Sequence, residues 1–265
     1  MKSVPNQLNE KDIQNHIESL RYASIIQRGL LPKRRHFKRH FEDHFVFFRP
    51  MDFISGDFYW VGGKDEVTYL AVGDCTGHGV PGAMLSILAR NILEYSIMTK
   101  SIISTDKILR EMDKKFIESF FHVKDEEFNN DWVDVSLVKI DRSKSIIEFS
   151  SANRKILHVG KTGSQLYAGS SYPIGGWQIE KRRKFDKVVI PFESGDSLYL
   201  GSDGYQDQIG GEREKKYSSR RLHDLLTEWY NLPFSAQKLK LVKDLNSWQG
   251  KNDQIDDICI VGVRL

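Results

Sequence analysis

Four aspartate positions, far apart in the chain, share one local setting. Asp57 lies in Ser55-Gly56-Asp57-Phe58-Tyr59-Trp60. Asp74 follows the apolar run 67–72 and precedes Gly77-His78-Gly79. Asp203 follows Leu198-Tyr199-Leu200, within Gly201-Ser202-Asp203-Gly204. Asp256-Asp257 opens a last apolar run ending at Val263. Each position falls near a predicted strand end, and at least three have a close glycine. Carboxylates are hard oxygen ligands suited to Mg²⁺ or Mn²⁺. Two such ions about 3.5–4 Å apart require several carboxylates converging from different strands. Neighbouring glycines permit the tight turns and close backbone approach that convergence demands. One Asp-Gly after a strand is ordinarily only a turn; the combination of four points to chemistry. No His/Cys group has zinc spacing.

The elements that must position these residues can be read from periodicity. Apolar residues at Ile13, Ile17, Leu20 and Leu31 form one helical seam over 12–31, interrupted by Ser24 and Gln27, and Pro32 ends it. This helix either packs on its own domain or pairs with a second chain. Strands are predicted at 45–48, 67–72, 133–140, 146–150, 156–159, 188–190, 197–201 and 257–263. Helices are predicted at 82–99, with Met84, Leu88, Ile92 and Tyr95 on one face, and at 105–121, 218–231 and 235–248. Residues 122–131 read as a loop, and 141–144 as a turn. Strands, then helices, then strands again argue for an α+β fold with helices covering sheets.

Composition narrows the function classes. The chain has 265 residues, a net charge of +3 and two cysteines, Cys75 and Cys259. Two thiols make no disulfide framework, so a reduced, cytoplasmic setting is expected. No apolar run approaches the ~20 residues of a membrane span, and the N-terminus lacks an apolar signal core. The small net charge calls for neither nucleic acid nor membrane insertion. The clusters Lys33-Arg34-Arg35, Lys181-Arg182-Arg183-Lys184 and Lys215-Lys216 read as solvated surface.

Several segments together carry a family resemblance. Gly56-Asp57-Phe58-Tyr59-Trp60, the run from Gly73-Asp74-Cys75-Thr76-Gly77-His78-Gly79 to Ala83, Ser202-Asp203-Gly204-Tyr205 and Asp256-Asp257 resemble the motifs of PPM-type metal-dependent protein serine/threonine phosphatases. The likeness is greatest to the stage II sporulation protein E-like branch, which Ser151-Ala152-Asn153 and Pro173-Ile174-Gly175-Gly176 also resemble. The resemblance implies a sandwich of two antiparallel sheets flanked by helices (αββα) and a centre of two Mn²⁺ or Mg²⁺ ions. It implies that Asp74 bridges the ions, that Asp57 serves one, and that Asp203 and Asp256 serve the other. Cys75 would contribute only its carbonyl, and Asp257 would orient the neighbouring ligand or bound water. Hydrolysis by metal-activated water on a phosphorylated protein, an anti-sigma-antagonist-like phosphoprotein in a bacterial partner-switching pathway, follows as the expected activity.

Within that frame, residues 1–11 are expected to be disordered, 12–32 to form a linker or dimerisation helix, and 33–265 to be the phosphatase domain. The helix resembles linkers that join this domain to a sensor, so a homodimer or a regulator docked on it is expected. His78, at a helix start, reads as a residue that stabilises the turn or packs, rather than as a general acid. Arg49 is a candidate for holding phosphate. Two other readings stay open here: a catalytically silent module that binds a phosphoprotein or sensor, and a metal-dependent phosphodiesterase.

Overall fold

The computed structural model describes residues 10–64, 66–120, 130–176 and 183–265. Residues 1–9 of the expected disordered stretch 1–11, most of the expected loop 122–131, and Lys181-Arg182 lie outside the described residues, while Glu10 and Lys11 are helical.

The chain begins with helix α1 (Glu10–Leu30), a short helix α2 (Arg34–Phe37) and strand β1 (His44–Arg49). Strands β2 (Asp57–Lys64) and β3 (Val67–Cys75) form a hairpin that leads into α3 (Gly79–Glu94), a π-helical turn at 95–99, and α4 (Thr105–Phe120). Next come β4 (Trp132–Asp141), β5 (Ile146–Ala152), β6 (Lys155–Gly160), β7 (Gly163–Ala168), β8 (Ile174–Gly175), β9 (Val188–Pro191) and β10 (Ser197–Gly201). The last third holds α5 (Gly204–Asp207), the short pair β11 (Ile209–Gly210) and β12 (Lys215–Lys216), α6 (Ser219–Trp229), α7 (Phe234–Gln249) and β13 (Ile258–Arg264).

Two antiparallel sheets result, ordered β2-β3-β4-β5-β9 and β1-β13-β10-β6-β7, with β8 added to β4. Their inner faces meet through Leu70, Val72, Val138, Ile147 and Phe149 on one side and Ile156, Leu198, Leu200, Cys259 and Val261 on the other. Strands buried on both faces, against the other sheet and against helices, are what the continuous apolar runs of the sequence encode. Helices α3 and α4 cover the outside of the first sheet through Leu85, Ala89, Leu93, Leu109 and Met112. Helices α6 and α7 cover the second through Leu222, Leu226, Leu241 and Leu245. The expected αββα arrangement is therefore the one observed.

Several local expectations are corrected. Strands β2 and β7 were not predicted. The face of α3 that the sequence marked as apolar is partly outward: Met84 is 67% exposed and Tyr95 42%. Ile92 of that face is buried, and Leu85, Leu93 and the small residues Gly82, Ala83, Ser86 and Ala89 pack inward with it, so the helix lies close to its sheet. In α1 the polar residues Ser24 and Gln27 are the buried ones. Gln27 donates to the Ser55 carbonyl (2.6 Å) and to Ser86 Oγ (3.1 Å), and accepts from the Ser55 N–H (3.0 Å). The interruption in the seam is thus its docking point on the domain. Arg183 is not solvated surface. It is buried, donates to the Pro173 carbonyl (2.7 Å) and lies 3.6 Å from Asp113. Asp113 in turn accepts from the Gly175 N–H, so Pro173-Ile174-Gly175 is a strap tied to α4.

Candidate metal centre

The ends of several strands bring the acidic residues together. Asp57 opens β2, and its register partner on β3 is Asp74. Asp74 in turn stands opposite Asp134 on β4. Directly opposed residues of an antiparallel pair have side chains about 5 Å apart, and like charges there repel. Three carboxylates in a row across a sheet are therefore costly unless cations join them. Asp203 follows β10 and Asp256 precedes β13, which pairs with β10 in the second sheet. Asp74, Asp134, Asp203 and Asp256 line one cavity of about 720 Å³, with Cys75, His78 and Asp131 on its wall.

Backbone and side chains fix the positions. Ser202 Oγ donates to Asp57 Oδ2 (2.6 Å) and itself accepts from the Cys259 N–H (2.9 Å), so the two sheets are tied beside the site. Asp257 holds a loop as well as its neighbour. Its carboxylate accepts from the Met51 N–H (2.7 Å) and the Gly56 N–H (2.8 Å), clamping the loop that delivers Asp57. Asp256 Oδ1 accepts from the Asp257 N–H (2.8 Å). Gly56 is required by space: a Cβ there would stand 2.8 Å from the Gly77 carbonyl and 3.1 Å from the Cys75 carbonyl. Gly204 is tighter still, with the Asp257 carbonyl 2.0 Å from where a Cβ would lie.

The electrostatics are those of a site with too many anions. Burial, and after it the charge of Asp74, pushes the Asp57 carboxyl well above the usual range, against the Ser202 hydrogen bond. Burial does the same to Asp74, opposed by Arg154 and reinforced by Asp203 and Asp256. Asp134 is pushed up to about 6, mainly by burial, against the pull of Arg154 and Asn153. Asp256 and Asp257 are raised, again chiefly by burial. Burial likewise raises the Cys75 thiol, so this side chain stays protonated.

Two residues of the site were missed from the sequence. Asp134 is 7% exposed, and its Oδ1 has no hydrogen-bond partner among the described residues. A lone acid inside the apolar strand pattern Val133-Asp134-Val135 was the available signal. Arg154 follows Asn153 at the turn from β5 to β6. It reaches Asp74, lies 3.4 Å from Asp134 and 3.0 Å from Asp203. Arg49, by contrast, donates to Asn246 and Gln249 on α7. His78 is the backbone cap of α3, makes no side-chain cap bond and is exposed on the cavity rim rather than packed.

Among the described residues, no three acidic, cysteine or histidine side chains already converge on one metal position; Arg154 stands between Asp74, Asp134 and Asp203. The donor set nevertheless fits divalent cations. It is all hard oxygen, it outnumbers its single guanidinium, and it leaves a buried carboxylate oxygen without a partner.

Comparison with known proteins agrees with this architecture. Residues 64–265 match the family model described as Stage II sporulation protein E (SpoIIE). The SiaA-PP2C domain of Pseudomonas aeruginosa is similar over 96% of this chain and 98% of its own, with 31% identity and a TM-score of 0.86. The PP2C phosphatase domain of SpoIIE from Bacillus subtilis, solved with a fragment of its regulatory domain, has 16% identity and a TM-score of 0.67, covering 84% and 63% of the two chains. RsbX, solved in complex with magnesium, has 15% identity and a TM-score of 0.59 over 84% and 94%. No curated protein sequence matches the chain.

Proposed function

The chain belongs to the SpoIIE family of PP2C-type protein serine/threonine phosphatases, and from that premise we propose that it hydrolyses phosphoserine or phosphothreonine on a bacterial signalling protein at a centre of two metal ions. The observation that carries this reading is the surplus of buried carboxylates at the ends of β2, β3 and β4, facing Asp203 and Asp256 from the second sheet. Asp57, Asp74, Asp203 and Asp256, with the Cys75 carbonyl, would hold Mn²⁺ or Mg²⁺, and Asp134 extends the set. Bound ions would neutralise charge on the phosphate and acidify a water for attack on phosphorus. The magnesium complex of RsbX supports the choice of metal class.

The chain's own groups perform the positioning. Ser202 fixes the rotamer of Asp57, and Asp257 fixes the loop before it, so neither depends on a ligand to keep its place. The thiol of Cys75 takes no part, because burial holds it protonated. No covalent phosphoenzyme is required.

The substrate class proposed is a small phosphoserine protein of the anti-sigma-antagonist kind, acting in the cytoplasm. Residues 33–265 would form the catalytic domain and 12–32 a linker that carries the signal. Two features support a homodimer or a docked regulator on that helix. Away from its docked face α1 exposes Tyr22, Ile25 and Ile26, Ile13 is exposed near the helix start, and α3 exposes Val80 and Met84. The inward Gln27 touches the loop that precedes Asp57. No described helix is long and apolar enough to cross a membrane.

The test compares a phosphoserine peptide, an aryl phosphate monoester and a phosphodiester under Mn²⁺ and Mg²⁺, with Asp203→Asn as the control. Monoester hydrolysis that disappears in the variant is expected. Preference for the diester would redirect the reading to a phosphodiesterase, and hydrolysis of none of the three would indicate a binding module. Removing residues 1–31 is expected to give a monomer with altered turnover; unchanged mass and kinetics would discard the linker role.

A further inference from the structure

The environment of Arg154 differs from that of an ordinary structural ion pair. Its guanidinium serves three carboxylates at once: it donates to Asp74 Oδ2, lies 3.0 Å from Asp203 and 3.4 Å from Asp134. These three come from β3, from the loop after β10 and from β4, which are the positions a cation would have to bridge. Its Nε is buried and has no hydrogen-bond partner among the described residues. The two terminal nitrogens are thus spread over three carboxylates, where Arg–carboxylate pairing favours a bidentate grip on one.

The backbone that carries this side chain is pinned. Asn153, at φ 56°, donates its side chain to Asp134 Oδ2 (2.9 Å), and Ser151 Oγ donates to the Arg154 carbonyl (2.6 Å). The long side chain beyond that anchor faces two spaces. One is the acidic cavity. The other is a groove of about 470 Å³ under α6, lined by Lys155, Gln206 and His223 among others. Asn153 and Arg154 line both.

We propose that Arg154 is a built-in cation that occupies the carboxylate cluster until metal ions displace it, and that its freed guanidinium then binds the phosphate of the substrate. The proposal rests on the metal-centre reading above. Its logic is competition for the same oxygens. A guanidinium and a divalent ion both need Asp74 and Asp203, and two cations brought to those oxygens repel each other. Once ions satisfy the carboxylates, the guanidinium loses its anionic partners, and the incoming phosphate dianion replaces them. The planar fork matches phosphate geometry in a way a lysine does not. Arg154 stands on the wall shared by the acidic cavity and the groove, so its movement toward a phosphate is a rotation of the side chain, with the backbone held. Occupancy of the site by the guanidinium also lowers the apparent metal affinity, by the fraction of molecules in which the site is blocked.

The experiment titrates metal-free protein with Mn²⁺ in a calorimeter, then titrates the Mn²⁺-loaded protein with inorganic phosphate, for the unaltered chain, Arg154→Gln and Arg154→Lys. The glutamine variant is expected to bind Mn²⁺ about tenfold more tightly, because the competitor is gone. Its phosphate affinity is expected to fall, with KM for a phosphoserine peptide rising more than kcat drops. Metal-free, it melts at lower temperature than the unaltered chain, and Mn²⁺ raises its Tm by a larger interval. The lysine variant, which keeps the charge and loses the fork, guards against a folding defect in the first; its metal affinity stays near that of the unaltered chain while phosphate binding weakens. Metal affinity that is unchanged or weaker in Arg154→Gln would overturn the assignment and make Arg154 a structural tie. Unchanged phosphate affinity in both variants would overturn the second half. An unaltered chain that binds no Mn²⁺ would instead overturn the metal reading beneath it.

Discussion

Two carboxylate sites in this molecule use the same side chain in opposite ways. Asp244 on α7 is surrounded by its own donors. Tyr205 lies 3.2 Å from one carboxylate oxygen, Tyr217 also donates to that oxygen, and Arg221 lies 3.2 Å from the other. Arg221 is held in turn over the rings of Tyr217 and Trp248, at 4.4 and 4.5 Å. At the strand ends the ratio is reversed: Asp74, Asp134 and Asp203 share Arg154, while Asp57 and Asp256 crowd the same region. Many donors on one carboxylate make a staple between α5, α6 and α7. Many carboxylates around one guanidinium make a cluster with a surplus of negative charge. The balance of donors and acceptors, more than burial, separates the stapling Asp244 from the strand-end acids proposed as metal ligands.

The largest effect that sharpens this contrast is expected from Asp74→Asn. Removing the central acid should lower activity by at least about 100-fold, since even residues that only support metal ligands cost 10–100-fold in metal affinity. The metal-free variant should melt no lower than the unaltered chain, because one of several repelling charges is gone and Arg154 keeps Asp134 and Asp203. A lower Tm together with preserved turnover would erase the distinction.

Asp244→Asn should do the reverse. It weakens three hydrogen bonds in the staple, for a loss of about 1–3 kcal/mol in unfolding free energy by denaturant titration. Turnover per folded molecule should be unchanged. A metal-dependent loss of activity at unaltered stability would place Asp244 with the functional acids.

A smaller, pH-dependent effect follows from Asp134. Its carboxyl holds its proton up to about pH 6 in the fold, against an ordinary value of 3.8. Between those values the folded chain binds more protons than the unfolded one. Stability of the metal-free protein therefore falls as pH rises through that window, and saturating Mn²⁺ removes the slope. Thermal melts from pH 4 to 7 with and without Mn²⁺ measure it; metal-free stability that climbs across the window would contradict it. The smallest effect is expected from Cys75→Ser, which keeps the carbonyl and should leave metal-dependent kinetics nearly intact. A large loss of metal affinity there would bring the thiol into the site.

Much of this was legible before the structure, for physical reasons. The strand ends at Gly73-Asp74 and Asp203-Gly204 combine an apolar run with an acid beside a glycine, and such local signals survive in a single sequence. The apolar, β-branched and aromatic runs that became β3, β4, β10 and β13 located both sheets. Asp134 was hidden because its partner across the sheet, Asp74, is 60 positions away, and register is a long-range property. Arg154 was hidden because an arginine after a strand ordinarily faces solvent; only the meeting of the two sheets turns it inward. Gln27 looked like a flaw in an apolar seam because its partners, Ser55 and Ser86, come from other elements. The inward face of α3 was misread because close helix-to-sheet packing selects small residues, which carry little periodic signal.

The most direct test of the account is metal add-back. The protein is stripped with a chelator, and hydrolysis of a phosphoserine peptide is followed as Mn²⁺ or Mg²⁺ is restored. The account predicts no turnover in the stripped protein and a saturable return of activity that the Asp74→Asn variant fails to show at the same metal concentrations. Full turnover after stripping, or identical metal-response curves for the two proteins, would contradict it.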